Sequence, residues 1–308
     1  MSDDSREDRE QQRLDALRRY DVVDTPREEA LDEVARLAAD SVGAPIGLIS
    51  FVGTDTLFFK AASGIDVQEM PRDMSFCEAA IGGDGTLTIP DASKDERFAD
   101  TPLVAGPSHI RFYAGAQLKT REGLAIGTLC VLDTVPREPG DAQLRALEVL
   151  ARQVMHQLEL RLELRKRDEA EVRYQTLFDS MDGGFCIIEF FDGPHGPLSD
   201  YVHVEANAAY ARHAGIPDVV GQKLREMVGD EADEWVARYG GVLRTGEPIR
   251  FEQELVATGR YLSLSAFRIE PPERNQVAVL FQDITARRRA EQELRQLNET
   301  LEARVAAP

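Results

Sequence analysis

The sequence predicts an α+β protein, with two antiparallel sheets joined and followed by long helices. Three observations support this prediction. The chain has 308 residues, a length that suggests about two domains. Strand-like segments occur in two groups, and each group encloses a middle part made of loops and short helices. After each group the apolar pattern changes to a helical period, first from Asp141 and again from Thr285.

The composition is ordinary for a globular protein with charged helices, since 43% of the residues are hydrophobic and 30% are charged. No run of about 18 apolar residues occurs, so we predict neither a membrane span nor a membrane partner. The first residues, MSDDSREDREQQR, lack the apolar core of a signal peptide, which makes the cytoplasm the expected location. The net charge of −19 disfavours nucleic acid and anionic lipid as partners.

The first group starts with helical patterns over about residues 6–20 and 26–41, and we expect Thr25 to cap the second helix. A long helix is predicted at the end of the group, over about residues 141–173. The order of these elements indicates an antiparallel sheet with helices on one side. Between the first two helices and this long helix, strands are predicted at PIGLISFVG, LFFKAASG, LTIPD, FYAGAQLKT and LAIGTLCVLDT. One short helix is predicted at SFCEAAI.

These segments resemble a GAF domain, a small sensory module, over residues 25–160, with an N-terminal helix at 1–24. The resemblance rests on PIGLISFVGTDTLFFKAASG, SFC, FYAGAQL and, most specifically, GLAIGTLCVLDTVPR. It is a resemblance to the GAF domains found at the front of bacterial signalling proteins. It implies a small-molecule site between the sheet and the loop-rich middle, residues 66–108.

The resemblance does not identify a ligand, and the cofactor stays unknown. Relatives that bind a bilin attach it through a cysteine that is often followed by histidine, whereas Glu78 follows Cys77 here. The NKFDE-type motif of relatives that bind cyclic nucleotides is absent. We expect Cys77 to be a packed thiol, because a depressed pKa would need a nearby cation and Glu78 has the wrong charge.

No catalytic or metal-binding motif is recognisable in the sequence. The three cysteines are far apart, lack a CxxC spacing and are expected to be reduced thiols. The five histidines have no metal-ligand spacing. Phosphate-binding loops and the HExxH, GxSxG and GxGxxG motifs are absent. We therefore predict no catalytic residue and no metal site within this sequence.

The second group has two strands, a helical middle and three further strands, which predicts a five-stranded antiparallel sheet. It resembles a PAS domain over residues 174–285, after a linker helix at 161–173. The matching segments are YQTLFDSMDGGFCIIE, VEANAAYARHAG with Asn207, GEPIRFEQEL and the ending FQDIT.

Neither of two common cofactors of the PAS family is supported by the residues. A flavin photosensor would need a reactive cysteine in the helix that begins NAAYARH, and that helix has none. His213 is the only candidate haem ligand on a nearby helix, and we expect it at the surface.

The segment FQDIT ends a strand and begins a polar helix. We predict that Asp283, Ile284 and Thr285 couple signals across this junction. The apolar side chain of Ile284 suits the core, and the two short polar side chains can bond across the junction, with the Thr285 hydroxyl as a helix cap. The alternative is that these residues form a helix cap and have no further role.

Residues 286–308 are predicted to form an output helix. Its single apolar stripe, with gaps of three and four residues, is too narrow to stabilise a lone helix in water. We therefore predict a coiled-coil-like homodimer, whose seam contains Leu294, Leu297 and Leu301.

The tail RQLNETLEARVA resembles the linker that precedes the phosphoacceptor helices of sensor histidine kinases. This resemblance implies an input module of a two-component kinase, with an effector kinase domain or a response regulator as partner. The histidine box and the Gly-rich ATP-binding domain of that family are absent from the sequence. The chain is thus expected to be either a truncated input module or a free-standing sensor, and its end within a helix favours truncation.

Two other functions stay open. The same front modules occur in cyclic-dinucleotide cyclases and phosphodiesterases, so the chain could be the input module of such an enzyme. It could also be a scaffold that dimerises and positions a partner. An enzyme in its own right is the least favoured interpretation, because no catalytic motif was found.

Overall fold

The computed structural model describes residues 3–23 and 25–306, and the side chains of residues 7–23, 25–73 and 75–300. The chain divides into two compact units, Met1–Asp168 and Glu169–Pro308. Each unit contains one antiparallel sheet with helices around it. The predicted α+β class is therefore confirmed.

The first unit is built on a six-stranded sheet in which all neighbouring strands are antiparallel. Its strands are β1 (Ile46–Val52), β2 (Thr56–Ser63), β3 (Glu69–Pro71), β4 (Leu87–Ile89), β5 (Phe112–Lys119) and β6 (Ala125–Asp133). The order across the sheet is β3–β2–β1–β6–β5–β4, which puts β1 and β6 at the centre. Strand β3 was not predicted, because three residues are too few to give an alternating pattern.

Three helices cover one face of this sheet: α1 (Asp3–Tyr20), α2 (Glu29–Val42) and α5 (Asp141–Ser180). Leu31 of α2 and Leu147 of α5 are completely buried in the same cluster as Phe112 of the sheet. Burial of such large apolar side chains is the main source of stability here.

Helix α2 begins at Glu29, and Thr25 does not cap it, contrary to our prediction. The Thr25 hydroxyl instead donates to the carbonyl of Val22 and accepts from the ammonium group of Lys60 at 2.5 Å. Lys60 is only 4% exposed, and a buried ammonium group needs acceptors. It takes the Thr25 hydroxyl and the Pro26 carbonyl, so the chain remains outside the helix at these residues.

The other face of the sheet is covered by the middle part of the unit, which contains α3 (Phe76–Gly82) and α4 (Pro102–Ala105). The side chain of Ser75 accepts from the backbone amide of Glu78 and so caps α3. Helices therefore lie on both faces of this sheet, whereas the sequence analysis expected them on one.

The second unit contains the five-stranded antiparallel sheet that was predicted. Its strands are β7 (Gly184–Gly193), β8 (Gly196–Ala206), β9 (Ile249–Leu255), β10 (Arg260–Arg268) and β11 (Gln276–Asp283). The order is β8–β7–β11–β10–β9, so the last strand in sequence lies at the centre of the sheet.

Helices α6 (Ala208–Ala214), α7 (Leu224–Val228) and α8 (Ala232–Thr245) pack on one face of this sheet. Trp235 and Tyr239 of α8 are 3% exposed and join the same apolar cluster as Phe281 of β11.

Two helices are long. Helix α5 has 40 residues and continues to Ser180, past the predicted end near residue 173. The final helix, α9 (Thr285–Ala306), follows β11 almost directly. In the described part of the chain, no helix combines the length and the apolar character that crossing a membrane would require.

Candidate functional site

The junction between β11 and α9 is held together by Asp283 and Thr285. One carboxylate oxygen of Asp283 accepts from the Thr285 backbone amide at 2.9 Å and from the Thr285 hydroxyl at 2.5 Å. That hydroxyl also accepts from the backbone amide of Tyr261 on β10, at 2.9 Å. The capping role expected of Thr285 therefore belongs to Asp283, because the Thr285 hydroxyl is directed at the neighbouring strand.

Ile284 continues the pairing between the two strands beyond the end of β11. Its backbone amide donates to the carbonyl of Tyr261 at 2.8 Å, and its own carbonyl accepts from the Arg288 amide at 2.9 Å. Its side chain is 9% exposed. The structure thus brings Asp283, Ile284 and Thr285 together as a compact link between a central strand and a helix.

His213 of α6 bridges this junction to the turn that follows α5. The Asp283 backbone amide donates to Nδ1 of His213 at 3.0 Å, and Nε2 lies 2.6 Å from the carbonyl oxygen of Asp182. Because a backbone amide can only donate, Nδ1 is unprotonated and Nε2 donates. Both ring nitrogens are used in these bonds, which leaves His213 no free nitrogen for a haem iron.

The charge of Asp283 is stabilised by its surroundings. Partial burial acts to raise the pKa of its carboxyl group, but the hydrogen bonds from Thr285 and the nearby Arg260 guanidinium outweigh burial. The net result is a pKa below the usual value for aspartate. The other carboxylate oxygen lies 3.5 Å from Arg260. The carboxylate is therefore ionised at neutral pH and continues to cap α9.

The first turn of α9 also contacts the two neighbouring strands. Arg287 and Arg288 both form ion pairs with Glu252 of β9, at 2.6 and 2.7 Å. The Arg288 guanidinium lies 5.1 Å from the centre of the Tyr261 ring. A run of arginines on a helix is usually a solvated face, but two members of this run attach the helix to the sheet.

A cavity of about 50 Å³ lies between the sheet of the second unit and its helices. Val279 and Phe281 of β11 line it, so the strand that ends at the junction also forms part of the cavity wall. On the same measure, a cavity needs about 10–15 Å³ to hold one water molecule. The cavity therefore accepts only a very small molecule in this conformation and is too small for a flavin or a haem.

His203 and Tyr210 are polar members of this cavity lining. The Tyr210 hydroxyl is 3.2 Å from Nε2 of His203. Burial lowers the pKa of His203 to about 4, so the imidazole is neutral at neutral pH.

In the first unit, aromatic side chains occupy part of the space where the resemblance implied a ligand. The rings of Phe76 and Phe98 are 4.8 Å apart, and those of Phe76 and Tyr113 are 5.1 Å apart. Tyr113 is completely buried. The loop-rich middle thus packs directly on the sheet through its own side chains.

The residues expected at a dimer seam lie on α9. Leu294 is 62% exposed and Leu297 is 57% exposed, and residues three apart lie on the same face of a helix. The side chain of Leu301 lies outside the described residues.

Sequence reasoning missed the partners of the junction, His213 and Tyr261. They are 70 and 24 residues away from the groups that they bind. For Tyr261, the sequence contained one signal: β10 and β11 are successive strands, and their pairing places Tyr261 opposite the end of β11. Nothing local in the sequence indicates the contact of His213.

Comparison with known families agrees with this architecture. A GAF domain model matches residues 26–158, and a model described as a PAS fold matches residues 199–289. The chain therefore contains a GAF domain followed by a PAS fold, and it is a tandem GAF–PAS sensory module. From here we call the two units the GAF unit and the PAS unit.

A cyclic di-GMP phosphodiesterase of Pseudomonas aeruginosa is 42% identical over 135 residues, which are 44% of this chain and 23% of that protein. The chain thus matches less than a quarter of the length of this relative. Among solved structures, the GAF domain of an Acinetobacter phosphoenolpyruvate-protein phosphotransferase is 18% identical, with a TM-score of 0.38. That match covers 50% of this chain and 98% of the other.

The blue-light absorbing form of the Thermosynechococcus elongatus PixJ GAF domain is 14% identical, with a TM-score of 0.39. The match covers 51% of this chain and 93% of the other.

Proposed function

We propose that this chain is the input region of a signalling protein, in which a ligand- or redox-dependent change in the GAF or PAS unit reaches an effector through α9. One observation carries the proposal. Strand β11 lines the PAS cavity with Val279 and Phe281, and two residues later it enters the bonded junction that starts α9. A change at the cavity wall therefore has a short covalent and hydrogen-bonded route to the helix.

The junction suits such a role because contacts from several elements meet at one residue. Asp283 is bound by α9, by His213 and by Arg260, and a shift of β11 changes these contacts together. A signal needs only a differential affinity of a few kcal/mol between two such states.

The output form in this proposal is a homodimer through α9. The exposure of Leu294 and Leu297 favours a partner helix, because burying a leucine side chain contributes about 1.5–3 kcal/mol. A second copy of the chain would supply the same stripe in register.

Two effector classes fit the proposal. A sensor histidine kinase, acting on a response regulator, is favoured by the resemblance of the tail to a kinase linker. The input region of a cyclic-dinucleotide enzyme is favoured by the 42% identity to a cyclic di-GMP phosphodiesterase. The coding sequence after Pro308 separates them: a histidine box with an ATP-binding domain supports the first class, and a cyclic-dinucleotide domain supports the second. A stop codon there favours a free-standing dimerising scaffold.

The proposed coupling is tested by Asp283→Ala in the intact protein that contains this chain. The variant loses the carboxylate that caps α9, so we expect basal effector activity to change by about fivefold or more, in the range of typical coupling energies. Asp230→Ala changes an exposed aspartate away from the junction and serves as the control. Unchanged activity in a folded Asp283→Ala protein would reject the coupling role.

A further inference from the structure

Four buried groups converge on the sulfur atom of Cys77 in the GAF unit. The hydroxyl groups of Thr128, Ser50 and Tyr113 lie 3.2, 3.4 and 3.6 Å from it. The sulfur atom of Cys130 lies 4.0 Å away. Cys77 is 4% exposed, and the other four residues are completely buried. A cluster of this kind is unusual inside an otherwise apolar core.

Gly115 makes room for one of these groups. A Cβ atom at this position would lie 2.1 Å from the Tyr113 hydroxyl oxygen. Any residue other than glycine at position 115 would therefore displace that oxygen. Burial raises the pKa of Tyr113 well above its usual value, which keeps the hydroxyl protonated and able to donate to Cys77.

The donors make the two thiols unequal. Hydrogen bonding from Cys130 and then from the neighbouring hydroxyl groups lowers the pKa of Cys77, against the effect of burial. The bond with Cys77, together with burial, raises the pKa of Cys130 well above its usual value.

Cys77 is a buried thiol, as expected, and neutral hydrogen-bond donors favour its thiolate in the same direction as a cation would. The acidic neighbour Glu78 is paired with Arg72.

We propose that Cys77 and Cys130 form an oxidisable thiol pair, in which a hydroperoxide converts the two thiols to a disulfide. Cys77 is the attacking sulfur, because the hydroxyl donors surround it, and Cys130 is the resolving sulfur. The pair would be the redox-sensitive element of the sensing role proposed above. It can be tested by thiol chemistry alone, so its failure is distinguishable from failure of the junction.

The chemistry needs hydrogen peroxide as the only co-reactant. The Cys77 sulfur attacks one peroxide oxygen, an S–O bond forms, the O–O bond breaks, and the leaving hydroxide takes the Cys77 proton to become water. The Cys130 sulfur then attacks the sulfenic acid sulfur. An S–S bond forms, the S–O bond breaks, and the second water leaves with the Cys130 proton. The two sulfurs together lose two electrons, and the peroxide gains them.

Geometry allows the second step with local movement. An S–S bond is about 2 Å long, so the sulfurs must approach by about half of their present separation. Both side chains face the same interior space between α3 and β6.

The test exposes the reduced, purified chain to hydrogen peroxide, followed by mass spectrometry of peptides without reduction. We expect a Cys77–Cys130 linked peptide whose mass is lower by two hydrogen atoms than that of the reduced pair. In Cys130→Ser we expect a sulfenic acid at Cys77 that a cyclic 1,3-diketone traps. Cys186 is an internal control, since burial alone raises the pKa of its thiol and Cys186→Ser should behave as the wild type.

Two variants that keep both cysteines provide a test that does not depend on the folding of the serine variants. Thr128→Val and Tyr113→Phe each remove one donor, and oxidation should slow by about threefold to tenfold, because a higher thiol pKa lowers the thiolate fraction and only partly restores nucleophilicity. The proposal is overturned if the wild type keeps all three thiols, if Cys186 oxidises as fast as Cys77, or if the donor variants oxidise at the wild-type rate.

Discussion

Asp283 connects three parts of the PAS unit through separate atoms. Its carboxylate caps α9, its backbone amide binds His213 of α6, and its main chain ends β11. The sequence analysis assigned the cap to Thr285, although a short acidic side chain before a helix is also a usual cap. The bond to His213 was not, since it depends on folding that joins residues 70 positions apart.

His203 provides a pH-dependent test of the buried cavity wall. Its folded-state pKa is about 4, against 6.5 for the ordinary imidazole. Between these values the unfolded chain binds a proton that the folded chain does not, so stability falls as the pH falls. From pH 6.5 to pH 5 the loss should reach about 1.6 kcal/mol, measured by urea unfolding of the chain.

His203→Gln removes the titrating ring and keeps a polar group for Tyr210, so this variant should lose much of that pH dependence. His195→Gln, at an exposed turn, is the matched control and should retain it. An identical pH profile for His203→Gln and the wild type would contradict a buried neutral His203.

At the scale of elements, the change from strand to helix at the start of α9 was predicted because both periods are visible in a few residues. The start of α2 was predicted wrongly for a non-local reason. Thr25 is a suitable cap by type, but buried Lys60, 35 residues later, takes its hydroxyl. Helix α5 likewise extends to Ser180. Its end was placed near residue 173, where the charged sequence no longer shows a regular apolar stripe.

The exposed stripe of α9 gives a test of the dimer. Leu294→Asp with Leu297→Asp should weaken self-association by about a hundredfold or more, because two leucine side chains lose their burial. Light scattering across a concentration series measures the molecular mass. Gln296→Asp, which adds a charge at a position outside the seam, is the control. A mass that does not change in the double variant would rule out this seam.

At the scale of the whole molecule, the two units differ in what they could sense. In the GAF unit, Phe76, Phe98 and Tyr113 pack together, and a thiol pair lies within the apolar core. The PAS unit has a small cavity whose wall includes the strand leading to α9. The sequence predicted both sheets and their succession along the chain, because strand patterns are local. It could not predict the Cys77–Cys130 contact, which joins residues 53 positions apart.

The central claim is that a change in the PAS cavity reaches α9 through Asp283. The most direct test measures amide hydrogen exchange of α9 after Trp235→Phe, which enlarges the cavity from α8, with and without Asp283→Ala. Loss of the cap alone should cost about 1 kcal/mol, so the sheet amides should stay protected. We predict that Trp235→Phe changes exchange in α9 when Asp283 is present and has little effect when it is absent. Equal responses in both backgrounds, or no response in either, would contradict the claim.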